Sequence, residues 1–291
     1  MAPLRFKLGK KDLDFNERSY IMGVLNVTPD SFYDSGRHFD VQRALDHALA
    51  MVEEGADIID VGGESTRPRG SAYGVGAIEV PAEEELRRVL PVVEQLVRAT
   101  DIPISVDTYK SDVAREVLKA GASMINDISG FRFDPLMAEA IGGAGGSAVI
   151  MHTSGKPDVM QQRTSYQDLF GEIRAYLQEG IFLGVAAGVR QILLDPGIGF
   201  GKTSEDNFRL VAGLGKFKDL GYPLLVGVSR KSFIGKPLDL PVECRLEGSL
   251  AALTGAILNG ASVVRVHDVM ESKRAAVIAD ALRRANDTVR S

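Results

Sequence analysis

The 291-residue sequence has one cysteine, four histidines and no tryptophan. A single thiol, Cys244, excludes an internal disulfide and any multi-cysteine metal site. That scarcity fits a reducing compartment. The chain has no basic excess either: 34 Lys and Arg stand against 39 Asp and Glu, a formal net charge of -5. Bulk attraction to nucleic acid or to an acidic membrane is therefore not expected. No apolar run reaches the roughly 20 residues that span a bilayer. Residues 1–20 carry basic side chains but no apolar core of signal-peptide length, so a cytoplasmic location is expected. No linker, low-complexity tract or charge block marks a second domain. The remaining composition, 45% apolar and 25% charged, is that of an ordinary globular chain.

What the sequence does have is alternation. Eight short apolar runs are each followed by a segment of helical period. The first runs cover 20–27 and 57–62, and later ones end at Asp107, at Asn126-Asp127, at His152, at Asp195, near Ser229 and at His267. The first helix is expected to open at Asp40, with Val41, Ala44, Leu45, Ala48, Leu49 and Val52 on one face and Gly55 as its stop. The second starts at about Glu83, with Leu86, Val89, Leu90, Val93 and Val97 on its apolar face. Ser111 and Ser204 are expected as helix caps, Asp134-Pro135 as a helix start, and the last helix runs through Ala275 and Ile278. The runs are continuously apolar rather than alternating, as in parallel strands covered on both faces. The pattern predicts an α/β fold, a single (β/α)8 TIM barrel over residues 20–291. Residues 1–19 form an extension, read as a short hairpin or strand closing the barrel bottom. A doubly wound open sheet is the alternative topology.

Polar residues gather where the apolar runs end. They are Asn26, then Glu64, Ser65, Thr66 and Arg67, then Asp107, Asn126, His152 and Asp195, then Ser229, Arg230 and Lys231, and finally Arg265 and His267. In a βα barrel these ends share one rim, the rim that carries active sites. Any one of them could be a cap or turn residue; the set as a whole is harder to explain that way. Asp107, Asn126 and Asp195 end apolar strands, so they need hydrogen-bond partners. A carboxylate accepts two parallel bonds from an N–H and an adjacent NH2, which matches the 2-amino-4-oxopyrimidine edge of a pterin or guanine. Bonds to barrel neighbours would satisfy it equally, and the sequence leaves both readings open. Arg265 and His267 lie two apart on a strand and face one side. With Lys202 and Lys231 on adjacent loops they form a local group of cations, which suggests an anionic ligand such as phosphate. His38 in a loop, His47 on a helix and Cys244 read as ordinary structural residues. The string LDPGIGFGK (194–202) is neither a dinucleotide fingerprint nor a phosphate-binding P-loop; its glycines allow a sharp turn or a close approach.

Several of these strings carry a resemblance. NVTPDSF (26–32), GGESTRP (62–68), SVDT (105–108), IND (125–127), LDPGIGFGK, GVSRKSFIG (227–235) and RVHD (265–268) stand in this order. Together they resemble the dihydropteroate synthase family over nearly the whole chain. The resemblance implies a TIM barrel, usually a homodimer, that condenses 6-hydroxymethyl-7,8-dihydropterin diphosphate with 4-aminobenzoate. It implies a pterin pocket of Asp107, Asn126, Met151, Asp195 and Lys231, and a diphosphate site of Asn26, Thr66, Arg265 and His267. It implies aminobenzoate contacts from Phe32, Thr66, Arg67, Pro68 and Ser229, Mg2+ on Asn26, and sulfonamides as inhibitors. The chain departs from the family pattern at Arg69, where glycine is common, and in a longer stretch over 69–81.

The chemistry so implied is substitution at a CH2 on an electron-rich ring, expected to run dissociatively, with Asp107 and Asp34 stabilising the cation. Loops at about 27–39 and 64–80 would exclude water. Three rival readings remain at this point. A methyltransferase acting on methyltetrahydrofolate would share the Asp and Asn pocket but would not need the NVTPDSF string or the Arg265 and His267 pair. A Schiff-base aldolase would use Lys231, and a non-catalytic homologue would bind without turnover.

Overall fold

The computed structural model describes residues 4–28, 37–65 and 79–290. Strands β1 (Arg5–Leu8) and β2 (Lys11–Asp14) form an antiparallel hairpin. Eight parallel strands follow: β3 (Tyr20–Asn26), β4 (Ile58–Gly62), β5 (Ile104–Asp107), β6 (Met124–Asp127), β7 (Ser147–Met151), β8 (Ile192–Asp195), β9 (Leu224–Gly227) and β10 (Ala261–Val266). They close in chain order, with β10 pairing both β9 and β3. Closure decides against the open doubly wound sheet. Helices α1 (Arg37–Glu53), α2 (Ala82–Ala99), α3 (Ser111–Lys119), α4 (Met137–Gly143), α5 (Leu169–Ala186), α6 (Ser204–Ala212), α7 (Ser232–Leu238), α8 (Leu246–Leu258) and α9 (Val269–Arg290) surround the barrel.

The period of two along each strand sorts the apolar residues into two clusters. Ile21, Leu25, Ile59, Val61, Val106, Ile125, Ile150, Leu194, Val226 and Val264 face outward into the helices. The alternate positions Tyr20, Met22, Ile58, Met124, Val149, Leu193, Leu225 and Val263 face inward and pack on Phe6, Leu8, Leu13 and Phe15 of the hairpin segment. An edge-to-face ladder joins Phe6 to Phe15 at 5.1 Å and Phe15 to Tyr20 at 5.3 Å. The Tyr20 hydroxyl accepts from Asp14 N–H at 2.7 Å. The extension therefore plugs the barrel bottom, where the inward positions are apolar except for Ser105 on β5, whose buried Oγ has no hydrogen-bond partner among the described residues.

Helix starts differ in detail from the expectations. The first helix begins at Arg37, so His38 falls in its opening turn rather than in a loop. Ser111 is the first residue of α3, and its N–H is capped from a neighbouring loop by Asp134 Oδ2 at 2.7 Å. The other oxygen of Asp134 takes Leu136 N–H at 2.9 Å, so that α4 starts at Met137 instead of at Pro135. Thr203, not Ser204, caps α6, accepting from Asp206 N–H at 3.1 Å. Ile278 on α9 is exposed, while Ala276 and Ala279 make the buried stripe.

Candidate active site

The inward row that is apolar at the bottom turns polar two residues further along most strands. Asn26 and Gly62 are register partners, Gly62 pairs with Asp107, and Asp107 with Asn126. Met151 pairs with Asp195, and Gly227 with Arg265. These residues, carried by eight different strands, thus form one ring at the C-terminal mouth. The two glycines leave its floor low: a methyl on Gly62 would lie 3.7 Å from both Asn26 Oδ1 and Asp107 Cβ.

Arg265 organises the charges. Its Nε donates to Asp60 Oδ2 at 2.6 Å and its Nη2 to Asp107 Oδ2 at 2.8 Å. Asn126 Nδ2 donates to the same Asp60 oxygen at 3.0 Å. Asp60 is fully buried, and its Oδ1 has no hydrogen-bond partner among the described residues. Burial pushes the Asp107 carboxyl up to about 7, against the pull of Arg265 and with the help of the Asp60 charge. Burial also raises Asp195, with Lys231 and the Gly197 N–H (2.7 Å) opposing the shift. Lys231 is lowered to about 8 by burial, with Asp195 opposing.

An apolar wall stands beside these charges. Tyr109, Ile128 and Met151 pack together with Phe133 and Phe200. The Lys231 ammonium lies 4.8 Å from the Phe200 ring centroid and donates to the Ile198 carbonyl. Arg230 adopts φ 55°, a left-handed turn uncommon for a side chain of its size. Its guanidinium turns to Asp268, with bonds of 2.7 and 2.8 Å. On one side of this turn Ser229 Oγ meets His267 Nδ1 at 3.0 Å; on the other Lys231 lies over Phe200.

The second loop is stitched at its base. Glu64 accepts from the Tyr109 hydroxyl at 2.6 Å, from Lys110 Nζ at 2.5 Å and from Val80 N–H at 3.1 Å. Lys110 also pairs with buried Glu85, whose carboxyl burial raises. The two ends of the segment 65–79 are thereby held to the corner after β5.

The mouth brings together Asn26, Asp107, Asn126, Met151, Asp195, Ser229, Lys231, Arg265 and His267. Phe32, Asp34, Thr66, Arg67 and Pro68 lie outside the described residues. The expected cation group is reduced by one: Lys202 does not face the mouth but is buried under the glycine-rich loop against His152. His152 is likewise buried, its ring 4.7 Å from Tyr176. Sequence reasoning missed Asp60, Phe200, Lys110 and Glu85; it placed Glu64 at the rim without its bonds to Tyr109 and Lys110. The alternation Ile58, Asp60, Gly62 carried the signal for Asp60, since it puts the aspartate on the inward row.

The family model described as pterin binding enzyme matches residues 22–267. A dihydropteroate synthase of Clostridium beijerinckii is 46% identical over 277 residues, 94% of this chain and 98% of its own. A solved Yersinia pestis dihydropteroate synthase with a sulfonamide drug complex superimposes with a TM-score of 0.87 at 44% identity, covering 96% of this chain and 99% of its own. The Xanthomonas albilineans dihydropteroate synthase in complex with 7,8-dihydropteroate gives a TM-score of 0.82 at 40% identity, covering 96% and 98%.

Proposed function

The chain belongs to the pterin-binding enzyme family, and we propose from that premise how its barrel mouth works. The activity is that of a transferase: 6-hydroxymethyl-7,8-dihydropterin diphosphate condenses with 4-aminobenzoate to give 7,8-dihydropteroate and pyrophosphate. The register ring of Asn26, Gly62, Asp107 and Asn126, facing Asp195 and Lys231, carries the reading of the site. A flat amino-oxo heterocycle needs carboxylate and amide partners at its edge and an apolar plate at its face. Asp107, Asn126 and Asp195 supply the first, Met151 and Phe200 the second, and Lys231 covers a ring carbonyl.

The diphosphate lies toward Asn26, Thr66 and His267, with Arg265 contributing charge. The C–O bond breaks first, and its electron pair leaves on the diphosphate. The dihydropterin spreads the resulting positive charge, and Asp107 stabilises it through space. The arylamine lone pair then forms the C–N bond, and its proton passes to pyrophosphate or solvent. Asp34 joins Asp107 in this role, and Phe32, Thr66, Arg67, Pro68 and Ser229 receive the aminobenzoate. Because burial favours the neutral acid of Asp107, a donor edge that requires the carboxylate drives off its proton on binding.

Among the described residues no cluster of three His, Cys, Asp or Glu could hold a metal ion on protein ligands alone. Asn26 offers one amide oxygen beside the ring, which fits a magnesium ion held mainly by diphosphate and water. Mg2+ bound there would supply charge neutralisation for the leaving group. Among the described residues no helix is long and apolar enough to cross a membrane. A cytoplasmic homodimer, without nucleic-acid or membrane partners and open to sulfonamides at the aminobenzoate site, completes the reading. Residues 1–19 form the N-terminal extension, whose described part from Leu4 onward is the structural plug, and residues 20–291 the catalytic barrel.

The test is pyrophosphate release with both substrates, with each alone, and with and without Mg2+. Release that needs both substrates supports the reading. Methyl transfer from methyltetrahydrofolate without pyrophosphate release would replace it. Positional isotope exchange in the diphosphate without arylamine tests the dissociative order; absence of scrambling returns the case to concerted displacement.

A further inference from the structure

The glycine-rich loop after β8 holds a buried cation that the reaction does not touch. Lys202 is 4% exposed. Its ammonium meets three acceptors: the Gly197 carbonyl at 2.9 Å, the Phe200 carbonyl at 3.0 Å and His152 Nδ1 at 2.9 Å. An ammonium has three donors and no acceptor, so the set is complete when His152 Nδ1 carries no proton. Burial favours that neutral imidazole, pulling the His152 pKa down to about 2, and the Lys202 charge acts in the same direction. Burial also lowers Lys202 itself to about 7, with Asp195 opposing, so the ammonium that fills all three acceptors prevails below that pH, where binding is measured.

The loop is shaped around this ammonium. Gly197, Gly199 and Gly201 have φ of 73°, 87° and 63°, which turns successive peptide planes over. The carbonyls of residues 197 and 200 face Lys202, that of Ile198 faces Lys231, and that of Gly199 takes Gln161 Nε2 at 2.8 Å. A Cβ at Gly197 would sit 1.8 Å from the His152 carbonyl oxygen, so no other residue type fits there without moving the backbone. The outer side of the same loop presents the Phe200 ring and the acceptor for Lys231.

We propose that Lys202 is a positioning residue, an internal cation that gathers the loop carbonyls much as a bound metal ion would. Through the loop it sets the Phe200 plate and the Lys231 ammonium for the pterin ring. The inference rests on the pterin reading of the mouth. It separates from that reading because it concerns a ratio between variant and wild type, whereas wild-type turnover tests the reading itself.

The experiment compares the wild type with Lys202→Met, of similar length and no charge. The readouts are the dissociation constant for the pterin diphosphate alone, both KM values, kcat and Tm. Loss of the charge-assisted bonds that fix the loop should weaken pterin binding about 10- to 100-fold. The KM for 4-aminobenzoate should move less than about threefold, on the same energy scale. The Tm should fall, because the Gly197 and Phe200 carbonyls and His152 Nδ1 lose their buried donor, so binding is compared well below the Tm of the variant. Unchanged pterin affinity in the folded variant overturns the proposal, as does an equal loss in both KM values. Should Lys202→Met not fold, Lys202→Gln keeps an uncharged NH2 with two donors and reads the same split. The wild-type 15N spectrum gives an independent signature: an unprotonated His152 Nδ1 whose shift moves in the variant supports the contact, and a protonated Nδ1 overturns it.

Discussion

The bottom and the mouth of this barrel use the same eight strands and differ by about two residues of height. At the bottom the inward row is Met22, Ile58, Ser105, Met124, Val149, Leu193, Leu225 and Val263, apolar but for Ser105 and sealed by Phe6, Leu8, Leu13 and Phe15. At the mouth it is Asn26, Gly62, Asp107, Asn126, Met151, Asp195, Gly227 and Arg265. The lower layer contributes burial, at roughly 25 cal/mol per Å2 of apolar area. The upper layer spends stability: its carboxylates and lysine are held away from their ordinary pKa values by desolvation. Between them Asp60 and Arg265 form the boundary, where an acid with no exposure meets a guanidinium shared with Asp107.

The comparison breaks most sharply at Arg265. Arg265→Met leaves Asp60 and Asp107 buried without their cation, and about 3–5 kcal/mol of stability is expected to go with it. Turnover should fall by a factor equivalent to ~2–5 kcal/mol. Adding Asp60→Asn should restore most of the Tm and little of the rate. A near-wild-type rate in Arg265→Ala would remove Arg265 from the site.

At the bottom the two effects should separate the other way. Phe15→Ala opens the plug and is expected to cost about 3–5 kcal/mol in denaturant unfolding. Its kcat and both KM values, measured well below its Tm, should stay close to wild type. A large loss of kcat in this variant would mean that the plug shapes the mouth.

Asp107 sharpens the contrast through pH. Its folded pKa of about 7 lies above the ordinary value of 3.8, so its share of stability is present below about 3.8 and is lost as pH rises through 7. Asp107→Asn should therefore stabilise more at pH 8 than at pH 5 while lowering activity. In the wild type, pterin diphosphate KM should fall as pH rises toward 7 and then level off. The same profile in Asp107→Asn would assign the titration to another group.

The smallest effect is expected at Gly62. A methyl there has ordinary contact distances to Asn26 and Asp107, so Gly62→Ala should change stability by less than about 1 kcal/mol. It raises the floor of the mouth, and pterin affinity should drop by about tenfold or less. An unchanged affinity would show that the ring does not reach down to Gly62.

Much of this division was legible along the chain. The eight continuous apolar runs announced parallel strands, and the polar residues at their ends announced a rim. Asp107, Asn126, Asp195 and Lys231 stood out because each follows an apolar run that must be buried. Asp60 was harder to see, because a single acid inside an apolar run looks like noise until the strand is known to alternate between helices and barrel interior. Lys202 was misread for a related reason. Its place in a glycine-rich loop next to other cations suggested a ligand, and only folding turned it inward onto Gly197, Phe200 and His152. The trans cap from Asp134 to Ser111 escaped for the same cause: its partners are 23 residues apart, and local propensity does not carry that information.

The sequence by itself determined the element types, their order and the side of each strand on which chemistry would gather. Those depend on period, on apolar content and on the chirality of βα connections, all of which are local. The closed sheet decided which distant groups share a proton, a charge or a carbonyl. Arg265 meets Asp60 across 205 residues because strand closure and register bring them within 2.6 Å. Pairing at that range is a property of the barrel's circumference, which no single stretch of chain encodes.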